Sequence, residues 1–331
     1  MNNRRQFLKQ LGVASLGAGL SSSLLTEAFA DRFTGAPFFD LSLAEFSFAT
    51  SLYAGTMDHL DFPAKAKKDF GISKVEYVSG FWKDKKPGDL DYLKQLKSRA
   101  DDNEVRSWLI MVDGAGNLGA SEASKRKEAI DNHSQWIEAA KHLGCYAIRV
   151  NLDGDGTDEA IASQCVEGYS QLVEVGAKHK IAVLVENHIG PSVNPDWLVN
   201  VLRQVKSPYS GALVDTANFK RYKLEAMTLE AFKNAKIIAE YDKYDGVKKL
   251  MPYAKGVSAK THTFDSEGND EETDFVKMLK IVRDAGFKGT IGIEYEGAFL
   301  KSMLGLEGNY LFEDDGVRAT RALLEKSAKK I

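Results

Sequence analysis

The feature that most constrains this chain is a repeated alternation. Short β-rich apolar runs, each followed by a stretch of helical periodicity, recur from Phe46 almost to the C-terminus. The strand candidates are 46–52, 74–78, 105–112, 147–151, 182–186, 212–215, 256–261 and 290–294. Between them lie helical stretches at 62–70, 90–101, 121–143, 158–179, 195–205, 244–253, 274–285 and 316–329. Such alternation is the signature of parallel βα units. Gly71, Gly144 and Gly286 each stand between a helix and the strand after it, as a helix-ending glycine does. Eight units in about 300 residues predict an α/β fold of one kind, a single (β/α)8 TIM barrel. An open dinucleotide-binding sheet would need a glycine-rich turn after its first strand, and Tyr53-Ala54-Gly55-Thr56-Met57 is no such turn. Residues 220–243 stay ambiguous, and 302–315 read as a loop.

The N-terminus carries a separate signal. Asn3-Arg4-Arg5-Gln6-Phe7-Leu8-Lys9 precedes an apolar, Gly/Ala/Ser-rich stretch from Leu11 to Leu25, and Ala28-Phe29-Ala30 supplies small residues for cleavage. This order resembles a twin-arginine signal peptide. Residues 1–30 are therefore expected to be an export signal, and 31–331 the mature barrel domain. The resemblance implies the twin-arginine machinery as a partner, a periplasmic or otherwise exported location, and no membrane anchor after cleavage.

Removing residues 1–30 takes away Arg4, Arg5, Lys9 and Glu27 and moves the net charge from −3 to −5. An acidic body lacks the basic surface that nucleic acid requires. The expected partner is a small molecule, and the composition is compatible with a homo-oligomer. The two cysteines, Cys145 and Cys165, fall at different heights of the expected barrel and are read as free thiols.

In a barrel, chemistry sits where strands end and βα loops begin. The polar residues there are Glu76, Arg149 and Asn151, then Glu186-Asn187-His188, Asp215-Thr216-Ala217-Asn218, Lys260 and His262, and Glu294-Tyr295-Glu296. Two glutamates, an aspartate and a histidine at one point make an oxygen-rich divalent-metal site. A structural alternative stands beside each: a helix-capping Glu186, an Asx turn at Asp215, a Glu294–Arg149 pair, a loop His262. His133 is read as structural. His59, His142 and His179 are read as surface or capping residues. Phe81 and Trp82 are weighed as an apolar wall against core packing.

At Val183–His188, Gly211–Phe219, Val257–His262, Gly292–Gly297 and Leu143–Asn151 the chain resembles the xylose isomerase-like barrel superfamily. That group includes sugar isomerases and epimerases. The resemblance implies one divalent ion (Mn²⁺, Co²⁺, Zn²⁺ or Mg²⁺) held by Glu186, Asp215 and Glu294, with His262 read as the replacement for a seventh-strand histidine ligand and a site of three protein ligands as the alternative; Glu186 and Glu294 would exchange protons with substrate. Glu76, Arg149, Asn151, His188 and Lys260 would bind substrate hydroxyls. The departure is on the seventh strand, where His-x-Lys is frequent and this chain has Ser258-Ala259-Lys260, with His262 two residues on. Asn218 is a second departure, at a place where some ketose epimerases have histidine. The leading expectation is a metal-dependent sugar isomerase or epimerase. The alternatives are a lyase or hydrolase on oxidised (keto) glycosides and a non-catalytic carbohydrate-binding protein.

Overall fold

In a computed structural model of the chain, residues 37–223 and 229–331 are described; the expected export signal lies outside them. Eight strands close into one barrel: β1 (Asp40–Ala44), β2 (Lys74–Val78), β3 (Arg106–Met111), β4 (Ala147–Val150), β5 (Ala182–Glu186), β6 (Ser210–Asp215), β7 (Ala254–Thr261) and β8 (Thr290–Tyr295). Each pairs in parallel with its neighbours in sequence, and β8 returns to β1. Closure is what removes the exposed edges an open sheet would have.

The barrel is the expected one, with one strand misplaced. Residues 46–52 are not strand but a 3-10 turn, Glu45–Phe48, and a helix, Ala49–Ala54. The polar–apolar alternation of Phe46-Ser47-Phe48 imitates a strand. Phe48, Ala49 and Leu52, however, are buried at the three- and four-residue spacing of a helix. Asp40–Ala44 takes the strand role because it pairs on both sides, Ser42 with Gly292 and Ala44 with Glu76.

The ambiguous 220–243 stretch holds an antiparallel hairpin, Lys220–Lys223 with Lys236–Glu240. Within 302–315, Leu300–Leu304 continues a helical turn from Gly297–Phe299, and the last helix begins at Glu313. Gly71 and Gly144, at φ 65° and 75°, end their helices in the left-handed region that glycine enters without a Cβ clash.

Side chains fill the barrel below the site. Trp108 of β3 reaches across to the bare backbone of Gly256 on β7, where a Cβ would stand 2.5 Å from the indole. Leu213 closes on the same glycine. Truncating a buried indole of this kind costs about 3–5 kcal/mol. This floor sits one residue pair before Ser258 and two before Lys260, so the inward polar residues begin where the apolar fill stops. Both cysteines are free and buried, and burial pushes each thiol up to about 12, far from a reactive thiolate. Among the described residues no helix is long and apolar enough to cross a membrane.

Candidate metal centre and active site

Three carboxylates meet at the C-terminal ends of β5, β6 and β8. One oxygen from each of Glu186, Asp215 and Glu294 lies within 4.8 Å of the other two, and all three residues are buried. Each ends an apolar run, so the strand delivers a charge to the mouth while its preceding residues fill the core.

Neighbours fix each carboxylate by one side. The Asn187 amide bridges two strands, accepting from the Asp215 backbone N–H at 2.9 Å and donating to the Asp215 carbonyl at 3.0 Å. Asp215 Oδ1 accepts from the Ala217 and Asn218 N–H groups at 2.7 and 2.8 Å. The Asx-turn role and the site role thus fall on different oxygens, because Oδ2 has no hydrogen-bond partner. The Ser258 hydroxyl donates to Glu294 Oε2 at 2.6 Å. Arg149 Nε lies 2.8 Å from Glu186 Oε2, but its N–H is not aimed at that oxygen, so the two form an ion pair without a hydrogen bond. Glu294 is not the structural partner of Arg149; that place belongs to Glu186 and to Asp113, which accepts from Arg149 Nη1 at 2.7 Å.

His262 does not join the three carboxylates. Strand β7 ends at Thr261, and the chain turns away before His262 can face the axis. Its ring lies between Glu272, 3.3 Å from Nδ1, and Glu296, 3.7 Å from Nε2. Burial opposes its charge, yet these two carboxylates outweigh that and raise it to about 9. A protonated imidazole offers no lone pair to a metal. The side chains that do face the centre from β7 are Ser258 and Lys260. Lys260 Nζ is 3.0 Å from Glu296, 3.3 Å from Asp215 and 3.7 Å from Glu294. Burial works against its charge, but this carboxylate ring holds its pKa well above the ordinary lysine value.

The other expected substrate residues fall into two places. Asn151 and His188 stand on the rim in a chain of bonds. Asn151 Nδ2 donates to Asp113 at 2.8 Å, which leaves its Oδ1 to accept from His188 Nδ1 at 3.0 Å. Burial, then the Arg149 and Lys260 charges, push His188 down to about 4, so its Nε2 is a free acceptor at neutral pH. Glu76 lies fully buried in the barrel. It accepts from Ser42, and one oxygen has no partner. A Cβ on Gly292 would sit 2.4 Å from its other oxygen, so that glycine makes its room. Burial, with Glu294 and Glu186 nearby, raises Glu76 to about 8.

Three participants carry no role in the sequence reading. Asp113 follows Val112 as Asp215 follows Val214, a signal of the same form at the end of β3. Burial would raise it, but Arg149 and His188 together hold it below the ordinary value. Glu296 anchors both Lys260 and His262. Buried Glu45 accepts the Val78 N–H at 2.9 Å and bonds His59 Nδ1 at 2.6 Å. His59 is therefore no surface residue; it packs among Tyr77, Trp82 and Tyr92. His133 is structural, buried with Nδ1 on the Ala129 carbonyl. Trp82 is core, packed on Tyr92 and Trp136.

Electrostatics favour a cation among the three carboxylates. Burial raises Glu186 to about 7 despite Arg149, and raises Asp215 and Glu294 despite Lys260. Glu186 Oε2 and Asp215 Oδ2 accept no hydrogen bond, though each lies near a cation, Arg149 at 2.8 Å and Lys260 at 3.3 Å, and such buried carboxylate oxygens suit a hard divalent ion. The donor set fits such an ion through three carboxylates, with Ser258 level with Asp215 on one side and Gly292 on the other.

The family model described as xylose isomerase-like TIM barrel matches residues 64–319. No curated protein matches the chain in sequence. Among solved structures, the fold is similar to D-allulose 3-epimerase from Methylomonas sp., at TM-score 0.61 and 13% identity, over 88% of this chain and 99% of that one. It is similar to D-psicose 3-epimerase from Clostridium cellulolyticum H10, at TM-score 0.62 and 12% identity, over 88% and 99%. A third likeness, at TM-score 0.61 and 13% identity over 88% and 99%, is to the IOLI protein with a bound zinc atom.

Proposed function

From the premise that this chain belongs to the xylose isomerase-like TIM-barrel family, we propose that it is a divalent-metal-dependent isomerase or epimerase acting on a carbohydrate. The observation that carries this reading is the meeting of Glu186, Asp215 and Glu294 at one point of the barrel mouth. The epimerase activity of two structural neighbours and the zinc of a third support it.

Glu186, Asp215 and Glu294 would hold the ion, which when bound would supply a Lewis acid for a substrate hydroxyl or carbonyl oxygen. Glu294 and Glu186 face the substrate from strands three apart in the barrel. One removes a proton from the carbon beside that oxygen, and the other delivers a proton to the neighbouring carbon or to the opposite face. Glu186, buried beside Arg149 and the other two carboxylates, is placed to exchange a proton with a substrate carbon. Arg149 keeps Glu186 in place and ties it to Asp113. Lys260 places a positive charge beside developing negative charge on oxygen. Asn151, His188 and Asp113 offer a donor–acceptor array for hydroxyls.

Export by the twin-arginine route, cleavage after Ala30 and action outside the cytoplasm complete the reading. The test is elemental analysis of the mature protein beside a Glu186→Ala, Asp215→Ala double variant, with ¹H/²H exchange into a sugar panel by the parent and by Glu294→Gln. About one divalent ion per chain, lost in the double variant, is expected, with exchange lost in Glu294→Gln. No bound metal after reloading with Mn²⁺, Co²⁺ or Zn²⁺, or undiminished exchange by Glu294→Gln, overturns it.

A further inference from the structure

Four aromatic rings stand on the barrel rim beside the carboxylates. Phe46 follows β1, Tyr53 lies on the short helix after it, Phe81 follows β2, and Phe299 follows β8. Those are three adjacent strands, and the outer two carry Glu76 and Glu294. The rings touch in a closed circuit. Phe46 lies 6.0 Å from Phe81 and 5.2 Å from Phe299, and Tyr53 lies 5.1 Å from Phe81 and 6.3 Å from Phe299. Two of these contacts, Phe46–Phe299 and Tyr53–Phe81, are edge-on, the favoured aromatic geometry. Phe81 is buried beneath, Phe46 and Phe299 are half-buried, and Tyr53 is 55% exposed.

The arrangement is a supported platform with one open ring. The rings follow β8, β1 and β2, so they lie on the same strand-end rim of the barrel as the carboxylates. One exposed ring is far smaller than the about 800 Å² per partner of a stable protein interface. It matches a single ring of a small ligand, apolar on its face and hydroxylated at its edge. The carboxylates already claim the reacting sugar, so a ring on this platform belongs to a second unit attached to it.

We infer that the Phe46–Tyr53–Phe81–Phe299 rim is a subsite for the second ring of a two-ring carbohydrate, a disaccharide or an aryl glycoside. The inference rests on the carbohydrate reading above and narrows its substrate class. Tyr53 is the specificity-determining residue. Its face stacks on the second ring, and Phe81 and Phe299, themselves packed on Phe46, hold it in place.

The experiment uses the mature Glu294→Gln chain loaded with Mn²⁺, so that binding is measured without turnover. Calorimetry compares methyl with phenyl β-glucosides, galactosides and xylosides, and each sugar with its disaccharide. For at least one sugar, a second ring should tighten binding about tenfold, or about 1.4 kcal/mol. The gain should vanish in Tyr53→Ala and persist in Tyr53→Phe. A gain with phenyl alone assigns the subsite to an aryl aglycone, and a gain with the disaccharide assigns it to a sugar; either supports the inference. Equal affinity with and without the second ring, or a gain untouched by Tyr53→Ala, overturns it and leaves the metal-site reading standing. No binding of any sugar overturns both. Self-association by light scattering that Tyr53→Ala abolishes, with probe affinities equal, gives this face to a second copy instead. The probe ratio in the parent chain decides the matter even where Tyr53→Ala does not fold.

Discussion

Lys260→Met removes an ammonium that faces Asp215, Glu294 and Glu296. Its nitrogen lies 3.0–3.7 Å from an oxygen of each, and its side chain is 3% exposed. At an effective dielectric of about 20, each contact near 4 Å is worth about 4 kcal/mol before the ammonium's own desolvation is subtracted. The net loss on stripping the cation from a buried cluster is about 3–5 kcal/mol. The loss depends on pH in a stated direction. Burial would raise Glu296, but Lys260 and His262 hold it far below the ordinary value, so its stabilising contribution is present above about pH 4.5 and fades as pH falls toward its folded value. Asp215 and Glu294, already raised by burial, lose the charge that lowered them and take up protons sooner. The stability gap between parent and Lys260→Met is therefore widest at pH 8 and narrows on acidification toward pH 5. Urea denaturation of metal-free protein at both values measures it. Mn²⁺ should also raise the Tm of the variant more than that of the parent, because a divalent ion supplies the missing charge. A variant as stable as the parent at pH 8, or a gap that widens at pH 5, refutes the argument.

Three further outcomes follow from the same geometry. Ser258→His places an imidazole level with Asp215 and beside Glu294, and should tighten Zn²⁺ or Co²⁺ binding about tenfold in chelator competition; unchanged affinity rules out position 258 as a ligand site. Glu76, raised to about 8 by burial, keeps its proton in the fold while the unfolded chain ionises near 4.5, so parent stability falls as pH rises from about 4.5 to 8. Glu76→Gln removes that slope and should be a few kcal/mol more stable than the parent at pH 8, where an equal or lower denaturation midpoint would count against a protonated Glu76. For His262, raised to about 9, the stabilisation is complete below about pH 6.5 and lost as pH climbs through 9; His262→Asn should flatten Tm over that window, by no more than about 3 kcal/mol since Glu272 is half-exposed.

Much of this protein is local and therefore legible in its sequence. The eight βα units follow from apolar runs and helical periods, which the chain sets over five to twenty residues at a time. The carboxylate trio is legible for the same reason: Glu186, Asp215 and Glu294 each directly follow a buried β-branched residue, and strand ends in a barrel all point to one place. The first strand was not decided locally. Asp40–Ala44 and Phe46–Leu52 both alternate, and only pairing with β2 and β8 on closing the barrel gives the role to Asp40–Ala44. Nor could sequence say which cation stands among the carboxylates. Spacing permits Ser258, Lys260 and His262 on one strand face, but β7 stops at Thr261, and Glu272, ten residues past His262, draws the imidazole aside. The same holds for Asp113 with Arg149, Glu296 with Lys260 and Glu45 with His59. Charges find partners across strands that only the closed barrel brings together, and buried ions take whichever partner tertiary packing leaves within reach.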